Sequence, residues 1–477
     1  MDATDLCFTA ATDLAGMIRR KEVSPVEVTE AVLARIERLN PAINAYCTIT
    51  ADEALAAARE AEAAVMRGAA RGPLHGVPIS IKDLTITKGV RTTRGSRLYA
   101  DAVPDEDAPV VERVKAAGAI IVGKTNTPEF GWKGDTSNPL FGATKNPWDP
   151  AREASAGGSS GGAGAAVAAG LAPLALGTDG AGSIRIPASF CGIVGLKQQL
   201  WRVPTYPPSP VETVAHTGPM ARTVRDAALL LNVIAGPDER DRLSLPASGE
   251  DWLLACEGGV RGLRVAWSPD LGYAAVDPEI ARIVATAARR FADNLGCTVE
   301  EAHPGFADPG RAGRIIFYGG VAANVAGLPP ERAALIDPAL ARALEEETVG
   351  LTALDYIGAN AVRQALWDTL HRFFARYDLL LTPTIAVPPF RAGEEGPREV
   401  ASRAVERFGW TPFTYPFNLS GNPALTVPVG FTTTGLPVGL QIVGRRFDEA
   451  TVLRAGAAFE AAQPWAELRP PEGEPTP

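Results

Sequence analysis

The chain reads as an α/β protein built as one large domain over residues 1–477. Three observations predict this. A helical pattern followed by a short apolar strand recurs, at 108–122 and again at 163–176. No internal repeat and no linker-like stretch divides the 477 residues. Hydrophobic residues make up 46% and charged residues 21%, a balance that supports a substantial core.

The elements follow in order. Ser24-Pro25-Val26-Glu27 is a helix start: serine caps, proline takes the first turn, and glutamate closes a capping box. Val28, Val32, Leu33 and Ile36 continue at helical spacing, and Asn40-Pro41 is expected to end that helix. An alanine-rich helix spans about Ala51 to Met66. Gly76 to Asp83 reads as a short strand that delivers Lys82 to its end. Ala108 to Ala117 reads as a helix capped by Gly118, and Ala119 to Val122 as a buried strand. Residues 126–162 look irregular, and a loop of that length in a compact domain usually has a function. Residues 163–169 suggest a helix, Ala172 to Leu176 a strand, and Thr223 to Ile234 an amphipathic helix. Residues 300–410 resist placement. Pro423 to Val429 and Leu436 to Val443 read as neighbouring strands, followed by a closing helix from Asp448 to Ala462.

Several function classes are disfavoured. The net charge is -9 and no basic stripe is present, which argues against nucleic-acid binding. The five cysteines are widely spaced with no CxxC pair, so reduced thiols are expected rather than disulfides or a zinc site. No metal or other cofactor is implied. The acidic N-terminus lacks the basic region of a secretory signal, and the apolar run Ala163 to Gly177 is interrupted by Gly170 and Pro173. A cytoplasmic protein without membrane contact is expected.

Two motifs match formally and fail on context. Gly118 to Thr125 fits GxxxxGK[ST], but a phosphate-binding loop needs a strand before the first glycine. Here a helix precedes Gly118, and the residues between the glycines are the strand. Gly157-Gly158-Ser159-Ser160-Gly161 fits GxSxG, but Pro147 to Ala156 does not resemble the strand that motif requires. His216, His303 and His371 follow the serine, and none lies in a loop of catalytic character.

Three segments remain: Gly76 to Asp83, Ala156 to Gly162, and Gly177 to Pro187. In the third, small residues precede Ser183, so the N–H groups of Gly180, Ala181, Gly182 and Ser183 could converge on one oxyanion. Alone, that segment reads equally well as a glycine turn with a helix-capping serine. The second resembles a flexible linker, yet its flanks belong to a buried core. Lys82 alone is an ordinary strand-end lysine. A serine nucleophile needs a base, however, and a desolvated lysine can accept a proton near neutral pH.

Together these segments resemble the amidase signature family, whose defining stretch runs here from Gly157 to about Lys197. Ala117 to Asn126, Asn146 to Pro150 and Gly435 to Gln441 are similar to further family segments, so the resemblance covers most of the chain. It implies a mixed, twisted sheet flanked by helices on both faces. It also implies a catalytic triad of Lys82, Ser159 and Ser183, with a cis peptide at Gly158-Ser159. Lys82 would deprotonate Ser159, and Ser159 would deprotonate the nucleophile Ser183. Ser159 would then protonate the leaving nitrogen, and water would release the acyl group. Ala181 stands where the family usually has glycine. Gln198 and Trp201 replace the proline and glycine of Gly-Leu-Lys-Pro-x-x-Gly-Arg.

Within that family, the glutaminase subunit of a tRNA-dependent amidotransferase carries an aspartate seven residues before the asparagine of Asn-Leu-Ala-Gly. Asn418-Leu419-Ser420-Gly421 is preceded there by Thr411, which favours a stand-alone hydrolase. Substrate-lining residues are expected at about 200–215 and 300–415, with Trp132, Trp201, Tyr206, Phe413 and Tyr415 as pocket candidates. Phe141, Phe317, Tyr318 and Trp410 join that aromatic set. It favours a small-molecule substrate with an apolar or aryl amide, or a carbamate, while an aliphatic amide, a peptide amide or an ester stays open because the same acyl chemistry serves each. The oligomeric state is left open, a homodimer being one option. Outside the enzyme class, the rivals are a P-loop nucleotide-binding protein and a catalytically silent scaffold.

Overall fold

Strands that are apolar on both faces need cover on both sides, and the fold supplies it. The computed structural model describes residues 2–472. Eleven strands form one mixed sheet. They are β1 (Tyr46–Ile49), β2 (Pro78–Lys82), β3 (Ile120–Thr125), β4 (Leu174–Asp179), β5 (Val194–Lys197) and β6 (His216–Ala221). The series continues with β7 (Arg264–Trp267), β8 (Thr298–Glu301), β9 (Leu379–Pro383), β10 (Ala424–Phe431) and β11 (Pro437–Gly444). The spatial order is β1-β3-β2-β4-β6-β5-β10-β11-β9-β7-β8.

The side-chain alternation of each strand explains the layers. Leu174 and Leu176 join one core, whereas Ala175 between them joins a second core on the opposite face. Leu379 and Leu381 likewise join the first core, and Leu380 faces a third. Helices cover both faces, as the resemblance implied.

Parallel pairing sets up the site. β2 runs parallel to both β3 and β4, with Lys82 opposite Thr125 and Ile81 opposite Leu176. The C-terminal ends of all three strands therefore open at one edge of the sheet, where ligand sites of α/β proteins form. Lys82 and Asp179 are the last residues of β2 and β4.

Most expected elements are present, with differences at their ends. The capping box at Ser24 and Glu27 is formed. The helix does not stop at Asn40-Pro41, but runs Pro25–Ile43 and ends on Asn44 in the left-handed conformation. Asn40 supplies the reason: its side chain accepts from the N–H groups of Ala45 and Tyr46, so the turn is satisfied beyond the proline. The unplaced stretch contains helices Gly310–Ala323, Pro338–Thr348 and Ala353–Phe374, and then β9.

Lys124, the lysine of the GxxxxGK[ST] match, ends inside the protein. It is buried, donates to Thr85 O at 2.8 Å and Thr92 Oγ1 at 2.6 Å, and lies 3.5 Å from Asp83. These bonds fix the turn that follows Lys82. All five cysteines are free thiols, and four of them are buried. Among the described residues, no helix is long and apolar enough to cross a membrane.

Candidate active site

Lys82 arrives at the site on a rigid central strand and is completely buried. Its Nζ lies 2.8 Å from Ser159 Oγ, 2.9 Å from Ser160 Oγ and 2.8 Å from Thr178 Oγ1. Burial holds the amine well below its ordinary pKa, and the charge of Asp179 offsets that only in part. Among the described residues, the nitrogen bonds three hydroxyls and no carboxylate.

Ser159 is presented by a turn that only glycine permits. A Cβ at Gly158 would lie 2.6 Å from the backbone carbon of Asp135, and one at Gly131 would lie 3.0 Å from Ser159 Oγ. The peptide Gly158-Ser159 is cis. Immediately after it, helix Gly161–Ala168 is made of glycine, alanine and valine and is buried throughout.

Ser183 sits on the loop between β4 and helix Arg185–Cys191. Asp179 organises that loop, its Oδ1 accepting from Gly182 N at 2.7 Å and its Oδ2 from Ile184 N at 3.2 Å. Arg185 grips the same carboxylate with two bonds of 3.0 Å each. Its remaining N–H groups reach Asn418 Oδ1 at 2.6 Å, Gln441 Oε1 at 2.8 Å and Thr414 O at 3.0 Å. Burial alone would raise the Asp179 pKa, but Arg185 overrides it and holds the carboxyl well below its usual range. Lys197 and His216 lie beside this pair, and burial pushes both well below their ordinary values. The Asp179–Arg185 ion pair is therefore internally satisfied, and burial lowers the pKa of the Lys82 amine beside it.

The expected oxyanion nest needs one correction. Gly182 N–H is already held by Asp179, so it is not a free donor. Among the described residues, no protein group accepts from the N–H of Gly180, Ala181 or Ser183. Ala181 fits without a left-handed φ, and its carbonyl accepts from Thr414 Oγ1 at 2.7 Å. Ser160 N donates to Ser183 O at 3.2 Å and so ties the two serine segments together. Ser159 Oγ and Ser183 Oγ share the cleft wall, and no direct hydrogen bond joins them among the described residues.

Ser183 lies between two cavities. A cleft of about 1040 Å³ includes Ser159, Thr178, Gly180, the loop Pro204–Val211 and Phe317. A smaller cavity of about 450 Å³ includes Trp132, Ala181, Phe317, Tyr318, Trp410 and Thr411. Of the five pocket candidates, Tyr206 lines the cleft and Trp132 the small cavity. The other three line neither. Trp201 faces a separate surface depression with Glu239 and Arg242. Phe413 is packed in the core, where its carbonyl accepts from Gln441. Tyr415 turns away to bond Asp308 at 2.6 Å. Phe317, Tyr318 and Trp410 do line the small cavity, whereas Phe141 lines neither space and lies under Arg91.

The departures at Gln198 and Trp201 now have partial accounts. Gln198 Nε2 donates to Thr217 O at 2.9 Å, bracing the end of β5 against β6. Trp201 has φ 65, a conformation that suits the glycine usual there and costs other residues about 1–2 kcal/mol. Nothing in the structure explains why tryptophan is used.

Sequence reasoning missed Ser160, Thr178, Asp179, Arg185 and Asn418. All but Asn418 lie inside the segments already singled out, and Asn418 opens the Asn-Leu-Ser-Gly stretch. The available signal was an acid and a base six residues apart around a glycine turn, a spacing that folds an ion pair back on itself.

A model of the Amidase family matches residues 27–453. An acylamidase of Rhodococcus erythropolis is 42% identical over 475 residues, covering 98% of each chain. A glutamyl-tRNA(Gln) amidotransferase subunit of Moorella thermoacetica is 39% identical, covering 98% of this chain and 99% of its own. Among solved structures, a bacterial aryl acylamidase of the amidase signature family superposes with a TM-score of 0.89 at 34% identity. That match covers 96% of this chain and 97% of the other.

Proposed function

The chain belongs to the amidase signature family and is a hydrolase of amide bonds, and we propose that it works through an acyl-enzyme on Ser183, with Ser159 as proton shuttle and Lys82 as base. The observation that carries this reading is the buried Lys82 amine among three hydroxyls.

Proton accounting supports the direction of the relay. A neutral amine offers two N–H donors and one lone pair. Ser160 Oγ–H is spent on Thr178 O at 3.1 Å, so Ser160 accepts from the lysine. One N–H and the lone pair remain for Ser159 and Thr178. When Ser159 donates to the lone pair, its oxygen is left electron-rich and able to take the Ser183 proton. Ser183 then attacks the carbonyl carbon. The oxyanion falls to the N–H groups of Gly180, Ala181 and Ser183, donors that need no reorganisation. Lys82 returns its proton through Ser159 to the departing nitrogen, so the amine leaves neutral. Water then repeats the sequence on the ester: its proton passes to the relay, its oxygen bonds the acyl carbon, and Ser183 regains its proton.

The two cavities divide the substrate. Ser159 opens into the wide cleft and is absent from the small cavity, so the leaving amine belongs in the cleft. The acyl group then takes the small cavity, whose Trp132, Phe317, Tyr318 and Trp410 suit a short or aromatic acyl chain. We infer aryl and apolar amides as substrates, with aryl carbamates accepted by the same chemistry.

Glutamine is the alternative, given the relatedness to amidotransferase subunits. Among the described residues the small cavity has one carboxylate, Glu395, and Arg407 pairs with it. The Thr411 hydroxyl donates to Phe408 O at 3.0 Å. An α-ammonium group would thus find no unpaired acid there. A hydrolysis panel of anilides, aliphatic primary amides, glutamine and aryl carbamates tests the reading. Anilides are expected to exceed glutamine by at least about 100-fold in kcat/KM, a gap of roughly 2.7 kcal/mol. Faster hydrolysis of glutamine would reverse the assignment.

A further inference from the structure

One charged side chain of the wide cleft has no role in the chemistry above. Arg94 lines the cleft on the same wall as Leu84 and Phe130. Its backbone is pinned on both sides: its N–H donates to Asp83 O at 3.1 Å, and its carbonyl accepts from Phe130 N at 2.9 Å. Asp83 follows Lys82 in the chain, and Phe130 precedes Gly131, whose backbone faces Ser159 Oγ. Arg94 is thus fixed relative to the reacting groups, and it is held at φ 57, outside the usual range for arginine.

Its guanidinium carries an unanswered charge. The ring of Tyr99 lies 4.8 Å below it, a stack that orients the planar fork. Among the described residues, no carboxylate or carbonyl accepts from its side chain. Among the described residues, the one carboxylate lining the cleft is Asp179, which Arg185 claims. Glu106 approaches the rim through Tyr206, whose hydroxyl donates to it at 3.2 Å. Among the described residues, Tyr206 and His216 are the other titratable groups lining the cleft, and burial holds His216 well below its ordinary pKa.

We propose that Arg94 is a specificity residue that selects amides whose leaving amine bears a carboxylate, as in N-acylated aminobenzoates. A planar, pre-oriented guanidinium with no internal partner matches a carboxylate through two parallel hydrogen bonds. A neutral amine half would leave those donors to water. The proposal rests on placing the amine half in the wide cleft, and it names the substrate class that cleft prefers.

The test compares 4-acetamidobenzoate with the neutral 4-acetamidoacetophenone on wild type, Arg94→Gln and Arg94→Lys. The ratio of the two kcat/KM values within each enzyme is the readout. Wild type should favour the benzoate through KM. Arg94→Gln should lower the ratio by about 10- to 30-fold, and Arg94→Lys should keep more of it than glutamine does. Wild type hydrolysing both equally, or a glutamine variant within twofold of wild type, overturns the role of Arg94 and leaves the amidase reading standing. Calorimetric binding of 4-aminobenzoate against aniline reads the same preference without turnover. Preferential binding of the benzoate that weakens in Arg94→Gln supports the proposal, and equal binding overturns it. Failure of both anilides to react would instead sink the aryl-amide reading, and the binding measurement would still decide Arg94.

Discussion

Replacing Ser183 by alanine should lower kcat for amide hydrolysis by roughly 10⁴- to 10⁶-fold, the range seen when a serine nucleophile is removed from a working relay. The change deletes one oxygen from a loop whose shape is held elsewhere. Asp179, Arg185 and Asn418 set the loop through side-chain and backbone bonds that do not involve the serine hydroxyl. The variant should therefore fold normally and still bind amine product, as checked by circular dichroism and calorimetry. Residual activity above about 1% of wild type would mean that another group attacks the carbonyl.

Lys82→Met should cost about 10³- to 10⁴-fold in kcat/KM, the upper part of what a general base supplies. The pH profile separates this role from a merely structural one. Activity requires the neutral amine. Burial lowers the Lys82 pKa, so the wild-type rate should fall only as acid protonates the lysine and should stay level towards alkaline pH. In Lys82→Met that acid limb should vanish. What remains should rise with hydroxide concentration, because solvent base then replaces the amine. An unchanged acid limb in the variant would assign the titration to another group and remove Lys82 from the relay.

The sequence and the structure agree most where local pattern decides the outcome. The strand ending on Lys82 is legible because Val77, Ile79 and Ile81 alternate up to the lysine, and parallel pairing on both sides leaves the whole strand buried. The serine-bearing turns are legible because glycine clusters inside apolar flanks have few physical explanations. The pocket is not legible in the same way. Phe413 and Tyr415 are aromatic and close in sequence to Thr411, yet Phe413, ahead of helix Tyr415–Ser420, packs into the core and Tyr415, at the helix start, bonds Asp308. Trp201 lies near the signature stretch but faces a different surface. Spacing cannot report such directions, because they depend on how the 300–415 segment packs across the sheet.

The oxyanion nest shows a second kind of limit. Four N–H groups in a row suggested a common target, but one of them stabilises the loop itself. Only the fold reveals that Asp179 reaches back to Gly182, since the same carboxylate could equally have faced solvent. Lys197 and His216 are similar. Each looks ordinary in the chain, and both prove to be buried beside the Asp179–Arg185 pair.

The most direct measurement is to react the enzyme briefly with an aryl carbamate that deacylates slowly and to map the adduct by peptide mass spectrometry. The account predicts one carbamoyl group, on Ser183, formed at a rate that Lys82→Met suppresses. An adduct on Ser159 or Ser160 instead, or turnover with no covalent intermediate at any pH, would contradict it.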